Sequence, residues 1–402
     1  MSSSDAMLRK SPASRWWQAL WQRLEEALSR PQAYQWARAQ WWTRWVVRRR
    51  TLRLFAWMGG FVHSQVLLGC VQLRLFERVA TGPVSAAQLA QQLGLPEINL
   101  RPLLHSASAM ELLAQDGLQE GSPLYRLGPL GRVVHQHPGI ASMVEHNQLL
   151  YRDLTDPATF LRAGAQGQLA AYWPYAQDQG AEPALQAQAQ SQLQRYSALM
   201  DASQSFVITE VLDSYPFGDH QCVLDLGCGK GRFMREVARQ HPSLQLQLFD
   251  LPAVLALARE RLSEAGLAGR AQFHPGSFLD DALPRGADLV TLVRVAHDHS
   301  DQAMRHLFRK VAEMLPPGGR LLLAEPMRLD ASQAAVVDPY FHFYLQAMGA
   351  GRLRSPQELM ALLGESGFVG MEVLPTALPV HAQIVIGHKP IVNPNINPEK
   401  SI

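Results

Sequence analysis

Cysteine is scarce in this sequence. The three present, Cys70, Cys222 and Cys228, are too few and too scattered for a disulfide framework or a zinc site, so a reducing compartment and no bound metal are expected. Long uncharged apolar runs are missing as well. The most apolar early stretch, Leu52 to Phe76, is interrupted by Arg53, His63, Ser64, Gln65 and Arg74, which predicts a buried helix and not a bilayer span. The opening Met-Ser-Ser-Ser-Asp lacks the charged-then-apolar architecture of a signal segment, so a cytoplasmic protein is expected. Net charge is small, +2 over 402 residues, which excludes a uniformly basic nucleic-acid coat. What remains is ample core material: 47% of residues are apolar and 18% charged, at a length suited to two or three domains.

The small net charge conceals an asymmetry. Residues 1–53 carry eleven Arg or Lys against three acids, an excess of +8 that leaves −6 for the remainder. Eight of the nine tryptophans also fall in the first 57 residues. Trp17, Leu20, Trp21, Leu24 and Leu28 recur at helical spacing beside Arg15, Gln22 and Arg23. Indole at headgroup depth with guanidinium on lipid phosphate suits a membrane–water interface. The same pattern also suits a leader whose tryptophans pack on protein. Nucleic acid fits least, because lysine is nearly absent from the segment while tryptophan abounds.

From about residue 54 to 135 the pattern predicts three helices and a β-wing, a winged helix. One helix ends near Val79, Ser85 caps Ala86–Leu93, and Pro96-Glu97 leads into a helix over Leu100–Leu113. Asp116-Gly117 reads as a turn, and Gly117 to Leu127 as two short strands around a turn. A DNA reader needs Arg, Asn or Gln on its recognition helix. The helix following Asn99 has Arg101, His105 and mostly apolar or small residues, which suits packing on another subunit better. Residues 136–205 form a helical linker with an aromatic cluster: Tyr151, Phe160, Tyr172, Trp173 and Tyr175.

From Cys222 the chain alternates strands and helices. Strand-like runs at Cys222–Leu226, Leu244–Phe249, Ala271–His274, Ala287–Val295, Arg320–Ala324, Phe368–Val373 and His381–Gly387 predict a doubly wound, seven-stranded α/β sheet with an antiparallel edge. This domain spans 206–389, and 390–402 reads as a flexible tail.

Gly227, Gly229 and Gly231 follow the first buried strand and open a helix, and Asp250 ends the next strand, where a carboxylate can accept ribose hydroxyls. Both a dinucleotide and S-adenosylmethionine fit such a loop. Arg232 stands where the dinucleotide fingerprint wants its third glycine. Asp225, awkward beside a pyrophosphate, is welcome beside a sulfonium and an ammonium. The residues therefore favour S-adenosylmethionine.

Leu226-Gly-Cys-Gly-Lys-Gly, Phe249-Asp-Leu-Pro, His297-Asp-His-Ser-Asp, Leu315-Pro-Pro-Gly-Gly and Leu323-Ala-Glu-Pro resemble the O-methyltransferases typified by plant caffeate and bacterial antibiotic enzymes. The resemblance runs from about Leu52 to Lys389. Gly60-Phe-Val-His-Ser-Gln, Leu149-Leu-Tyr-Arg-Asp-Leu-Thr-Asp-Pro, Tyr172-Trp-Pro-Tyr-Ala and Tyr344-Leu-Gln-Ala-Met-Gly-Ala-Gly-Arg are most similar to the carotenoid 1-hydroxy O-methyltransferases of purple photosynthetic bacteria.

The resemblance implies a Rossmann-like class I methyltransferase fold with an N-terminal winged-helix dimerisation domain, S-adenosylmethionine as cofactor and a homodimer. It puts the cofactor on Gly227 and Gly229, its ribose on Asp250 and its adenine between Leu251 and Phe278. Ser277 stands where many members have Asp, so Asp280 or a hydroxyl contact substitutes. A lysine of plant members is Val293 here, with Arg294 next along as a further cofactor contact. His297 aligns with the general base and Glu325 with one carboxylate that orients it, while the second falls on Leu353. Asp298 braces the loop on this reading. For His297 the plain alternative is a hydrogen bond to backbone, and His299 stands close by in the sequence.

An apolar hydroxycarotenoid needs an apolar slot, for which Phe160, Tyr172, Trp173, Tyr340, Phe341, Phe343, Tyr344 and Met348 are candidates, with His342 as a second polar contact. Ordinary core packing is the competing role for each. The expected activity is O-methylation of a tertiary 1-hydroxyl, on an enzyme held peripherally at the inner or photosynthetic membrane and without a nucleic-acid partner. The rivals are a methyltransferase of bacteriochlorophyll or aromatic polyketide synthesis, and a non-catalytic winged-helix factor that retains the cofactor site.

Overall fold

A computed structural model describes residue 26 and residues 30–119, 121–164, 167–172, 204–330, 333–349 and 351–391. The predicted stripe from Trp17 to Leu28 and the tail beyond Ile391 lie outside the described residues, as does Trp173. The chain divides into two compact units, Met1–Arg132 and Val133–Ile402.

The first unit begins with α1 (Pro31–Ala39), α2 (Arg44–Met58), α3 (Gly60–Gln72) and α4 (Leu75–Ala80). The single buried helix expected over Leu52–Phe76 is not what forms. Gly59-Gly60 breaks it, and α2 and α3 meet at a bend of 55°. Val66, Leu68, Cys70, Val71, Leu75 and Phe76 are buried, whereas Leu52, Leu54, Phe55, Trp57, Met58, Phe61 and Val62 are exposed. Among the described residues no single helix is long and apolar enough to cross a bilayer; α2 and α3 pass that test only together.

β1 (Val84–Ser85), α5 (Ala86–Leu93), α6 (Glu97–Ala109), β2 (Leu113–Gln119) and β3 (Ser122–Leu127) complete the winged helix, with sheet order β1-β3-β2. Ser85 caps α5 through a capping box with Gln88. Two expectations are corrected here. α6 stops at Ala109, because Glu111 turns left-handed at φ 59° and Leu113 then enters the wing. Asp116-Gly117 is a bulge inside β2, with the register shifting between Gln115 and Leu118. The strands pair as far as Gln119 opposite Ser122, as the reading of Gly117 to Leu127 as two strands around a turn expects.

α7 (Pro129–Gln136) links the units. The second unit adds α8 (Pro138–Asp153), α9 (Pro157–Ala163), α10 (Gln168–Tyr172) and α11 (Ser205–Ser214). The sheet follows, in chain order: β4 (Cys222–Leu226), α12 (Arg232–Gln240), β5 (Gln245–Asp250), α13 (Pro252–Glu264), β6 (Ala271–Pro275), β7 (Leu289–Val293), α14 (Asp301–Met314), β8 (Arg320–Glu325), α15 (Ala334–Met348), α16 (Pro356–Glu365), β9 (Val369–Leu374) and β10 (Gln383–His388). Spatially the strands run β6-β5-β4-β7-β8-β10-β9. β10 is antiparallel to both neighbours, so the reversed strand is inserted beside β8 and is not the edge itself.

Alternating residues feed two cores. Val223, Leu246, Leu248, Leu289, Leu322 and Ile384 face one, with α11, α12 and α13. Leu224, Leu226, Val290, Leu292, Leu321, Leu323 and Val385 face the other, with α14 and α16. The chain order reverses direction between β4 and β7. The crevice at their carboxyl ends is where such sheets bind ligands.

Candidate active site

At the end of β4 the chain makes a run of left-handed turns: Gly227, Gly229 and Gly231 have φ of 72°, 56° and 71°. The three glycines differ in what a side chain would meet. A Cβ on Gly227 would fall 2.9 Å from Val295 Cγ2 and 3.6 Å from Phe278 Cε1, and one on Gly231 would fall 2.6 Å from Leu262 Cδ1. At Gly229 nothing lies within 4 Å. Gly231 is thus required by packing of α12 on α13, and Gly229 opens onto free space.

Two buried carboxylates flank this loop. Asp225 Oδ1 accepts the Thr291 hydroxyl at 2.6 Å, and burial pushes its carboxyl up to about 7 despite that bond. Asp250 Oδ2 accepts from Gly229 N at 2.8 Å and Oδ1 from Leu251 N at 2.7 Å. Burial again pushes it up, to about 6, against those two bonds. Carboxylates held at such cost next to an open glycine favour a cationic ligand, and this donor set fits S-adenosylmethionine.

Phe278 lies beside Gly227, its ring 5.4 Å from that of His299 and nearly perpendicular to it. Ser277 Oγ donates to Asp280 Oδ2 at 2.7 Å, so the serine and the predicted substitute carboxylate act as a joined pair.

On the far side of the switch point β7 ends at Val293, two residues earlier than expected, because Arg294 is left-handed at φ 59° and its N–H donates to Ala324 O at 2.8 Å. The 3-10 turn Ala296–Asp298 follows. His297 is buried within it. Its backbone N–H and its Nδ1–H both donate to Glu325 Oε2, at 2.8 and 3.0 Å. Nε2 is then the basic ring nitrogen. It lies 3.3 Å from Asp298 Oδ1, an ion-pair distance without hydrogen-bond alignment.

Burial pulls the His297 imidazole down, but Asp298 and Glu325 outweigh it and hold it above its ordinary value, with Arg294 opposing. Burial raises the Asp298 carboxyl against the pull of His297 and Arg294. His299 behaves oppositely: burial and the charge of His297 push it down to about 4.

The predicted lining residues gather in one apolar cluster. Phe160, Tyr344, Met348, Leu150, Leu169 and Leu353 are buried together, with Tyr340, Phe341 and Phe343 packed on them. Tyr340 stacks on Tyr344 with centroids 5.6 Å apart, and Phe160 on Phe343 at 6.1 Å. Two polar pairs are set into this slab: Tyr340 OH donates to Asn147 Oδ1 at 3.1 Å, and His146 Nε2 meets Tyr344 OH at 3.1 Å. Burial pushes the Tyr340 phenol up to about 12 and His146 down to about 4. Tyr172 ends α10, without a described side chain. His342 is exposed, on the opposite side of its helix from buried Tyr344 and Met348.

The comparisons with known proteins bear on this arrangement. Residues 151–369 match the O-methyltransferase domain and residues 55–137 the O-methyltransferase dimerisation domain. The chain is 40% identical over 349 residues to demethylspheroidene O-methyltransferase of Cereibacter sphaeroides, covering 86% of this chain and 89% of that one.

The chain belongs to the O-methyltransferase family.

It is an S-adenosylmethionine-dependent enzyme, and its dimerisation domain supports a homodimer. More distant is the acetylserotonin O-methyltransferase of Mus musculus, 30% identical over 338 residues, 81% of this chain and 85% of that one. The enzyme shares its fold with human N-acetylserotonin methyltransferase in complex with SAM, at a TM-score of 0.70 and 22% identity over 85% of this chain and 98% of that one. For the S-adenosylmethionine-dependent methyltransferase SibL the TM-score is 0.68 at 25% identity, over 84% of this chain and 99% of that one.

Proposed function

We propose that the enzyme methylates the tertiary 1-hydroxyl of an acyclic hydroxycarotenoid. The observation that carries this reading is the 40% identity to demethylspheroidene O-methyltransferase across most of both chains. The aromatic slab of Phe160, Tyr340, Phe341, Tyr344 and Met348 supports it, since a long polyene needs such a surface. On this reading residues 54–135 serve dimerisation, 136–205 help line the acceptor slot, and 206–389 bind the cofactor and carry the chemistry.

Gly227, Gly229 and Asp250 would hold the cofactor's backbone and ribose, Leu251 and Phe278 its adenine, Ser277 with Asp280 its ring edge, and Asp225 its cationic portion. Gly231 gives the loop its packing on α13, and Arg294 lends charge near the base. When bound, S-adenosylmethionine supplies an electrophilic methyl on a sulfonium. A tertiary alcohol is far less acidic than an imidazolium of pKa about 6.5, so full prior deprotonation is steeply uphill. His297 Nε2 would therefore take the hydroxyl proton as the methyl passes to the oxygen and its bond to sulfur breaks, leaving S-adenosylhomocysteine. Glu325 holds the ring and stabilises the imidazolium produced, and Asp298 adds to that stabilisation. Positioning the hydroxyl in line does the rest.

Incubation with labelled S-adenosylmethionine and either a hydroxylated carotenoid in detergent or a chlorin tests the assignment. Label is expected in the carotenoid; label only in the chlorin would end it.

We further infer that α1 and α2 contact an anionic membrane surface peripherally, at the inner or photosynthetic membrane. Trp41 is 83% exposed, Trp42 and Trp45 are exposed beside it, and Arg44, Arg48, Arg49 and Arg53 are exposed among them. Each arginine near an anionic bilayer contributes about 1 kcal/mol.

A further inference from the structure

We propose that Arg354 is a positioning residue for methyl transfer, setting the place of His297 through the backbone of its loop. The proposal rests on the reading of His297 as the base.

Among the described residues Arg354 is one of the largest fully buried side chains, only 1% exposed. A buried guanidinium is tolerated only where its donors are used. Here Nη1 donates to Ala296 O at 2.7 Å, Nη2 to His299 O at 2.6 Å, and Nε to Asp301 Oδ1 at 2.8 Å. Of the two carbonyls between those, that of His297 is also taken: Arg352 N–H donates to His297 O at 2.9 Å. Arg352 adds its own fork to Asp301, at 3.0 and 2.9 Å. Those bonds hold the Asp301 carboxyl down at about 2, against the effect of burial. Gly351 lets the two segments approach, since a Cβ there would fall 2.2 Å from His297 O.

His297 is thereby gripped from two sides. Glu325 takes its N–H and Nδ1–H, while residues 352–354 take the carbonyls of Ala296, His297 and His299. Glu325 fixes the ring's rotation. Arg354 fixes where the backbone carrying that ring can sit. A lysine keeps the charge but, as a compact ammonium, lacks the planar fork that reaches two carbonyls and a carboxylate together.

The test is a double-mutant cycle of Arg354→Lys and His297→Ala, with residual methyl transfer followed by labelled S-adenosylmethionine. Arg354→Lys alone should lower kcat roughly 10- to 100-fold, the scale of a small misplacement of a reacting group. KM for the acceptor and Kd for S-adenosylhomocysteine should stay within about threefold, the split expected of positioning without loss of binding. In the His297→Ala background the same substitution should change kcat less than about twofold, since the group it positions is gone. Equal losses in both backgrounds, or an unchanged kcat for Arg354→Lys, would overturn the proposal. An unchanged kcat for His297→Ala alone would instead overturn the base assignment. Should Arg354→Lys fail to fold, Asp301→Asn, which loosens the clamp and keeps the guanidinium, runs the same cycle with the same criteria.

Discussion

Glu325 Oε2 accepts two hydrogen bonds from one residue, the backbone N–H and the ring Nδ1–H of His297, within 0.2 Å of each other in length at 2.8 and 3.0 Å. A neutral amide at this place keeps an acceptor but loses the charge. Glu325→Gln should lower kcat about 10-fold or more. The sign of the accompanying pH effect follows from the raised pKa of His297. A base must be neutral, so the rate falls as pH drops through that pKa; removing a carboxylate lowers it, and the acid limb should move to lower pH. A pH–rate profile that keeps its acid limb would detach Glu325 from the base.

Asp225 and Asp250 predict a second pH dependence. Their carboxyls stand at about 7 and about 6, raised by burial. A cationic ligand favours their ionised forms and releases protons on binding, so affinity for S-adenosylmethionine should rise with pH and level off above the Asp225 value. S-adenosylhomocysteine lacks the sulfonium charge and should show a shallower slope. Asp225→Asn should flatten the difference and weaken the cation about 10-fold. Calorimetry across that range, comparing the two ligands, checks all three outcomes.

Gly229 and Gly231 separate ligand approach from packing. Alanine at either place carries left-handed strain of about 1–2 kcal/mol. At Gly231 it also meets Leu262 Cδ1 at 2.6 Å and Leu248 Cδ2 at 3.2 Å, adding roughly 1–3 kcal/mol of overpacking. Gly231→Ala should therefore lower the urea midpoint more than Gly229→Ala. Gly229→Ala should show the larger loss of cofactor affinity. The reverse ranking would mean that the loop approaches its ligand elsewhere.

Replacing Trp41, Trp42 and Trp45 with serine should reduce partition onto vesicles containing anionic lipid about 10-fold or more, and any binding to neutral vesicles should fall with it, because indole partitions whatever the lipid charge. Co-sedimentation reads this directly. If the dimer dissociates instead, with vesicle binding intact, these side chains belong to the subunit interface.

Much of the fold was legible because parallel strands buried on both faces spell nearly continuous apolar runs, as in Leu289–Val293. The glycine loop and Asp250 were legible because they sit at strand ends, whereas His297 and Glu325 were singled out through the motifs that resemble the family's. What failed to show in sequence was set by tertiary partners. Asp116-Gly117 carries turn residues yet forms a bulge, since pairing with Ser122–Leu127 decides the register. Leu113 continues a helical pattern but is claimed by the wing. Arg354 looks like any surface arginine beside Arg352, and its burial depends on carbonyls more than fifty residues earlier. The role of Asp298 is likewise a matter of where a 3-10 turn aims its side chain.

The inserted strand β10 has a consequence for how the site is assembled. Gln383 on this strand lies opposite Glu325 across the antiparallel ladder. The backbone that carries the partner of the base is thus held by pairing between segments far apart in the chain, so closing that ladder is a non-local step.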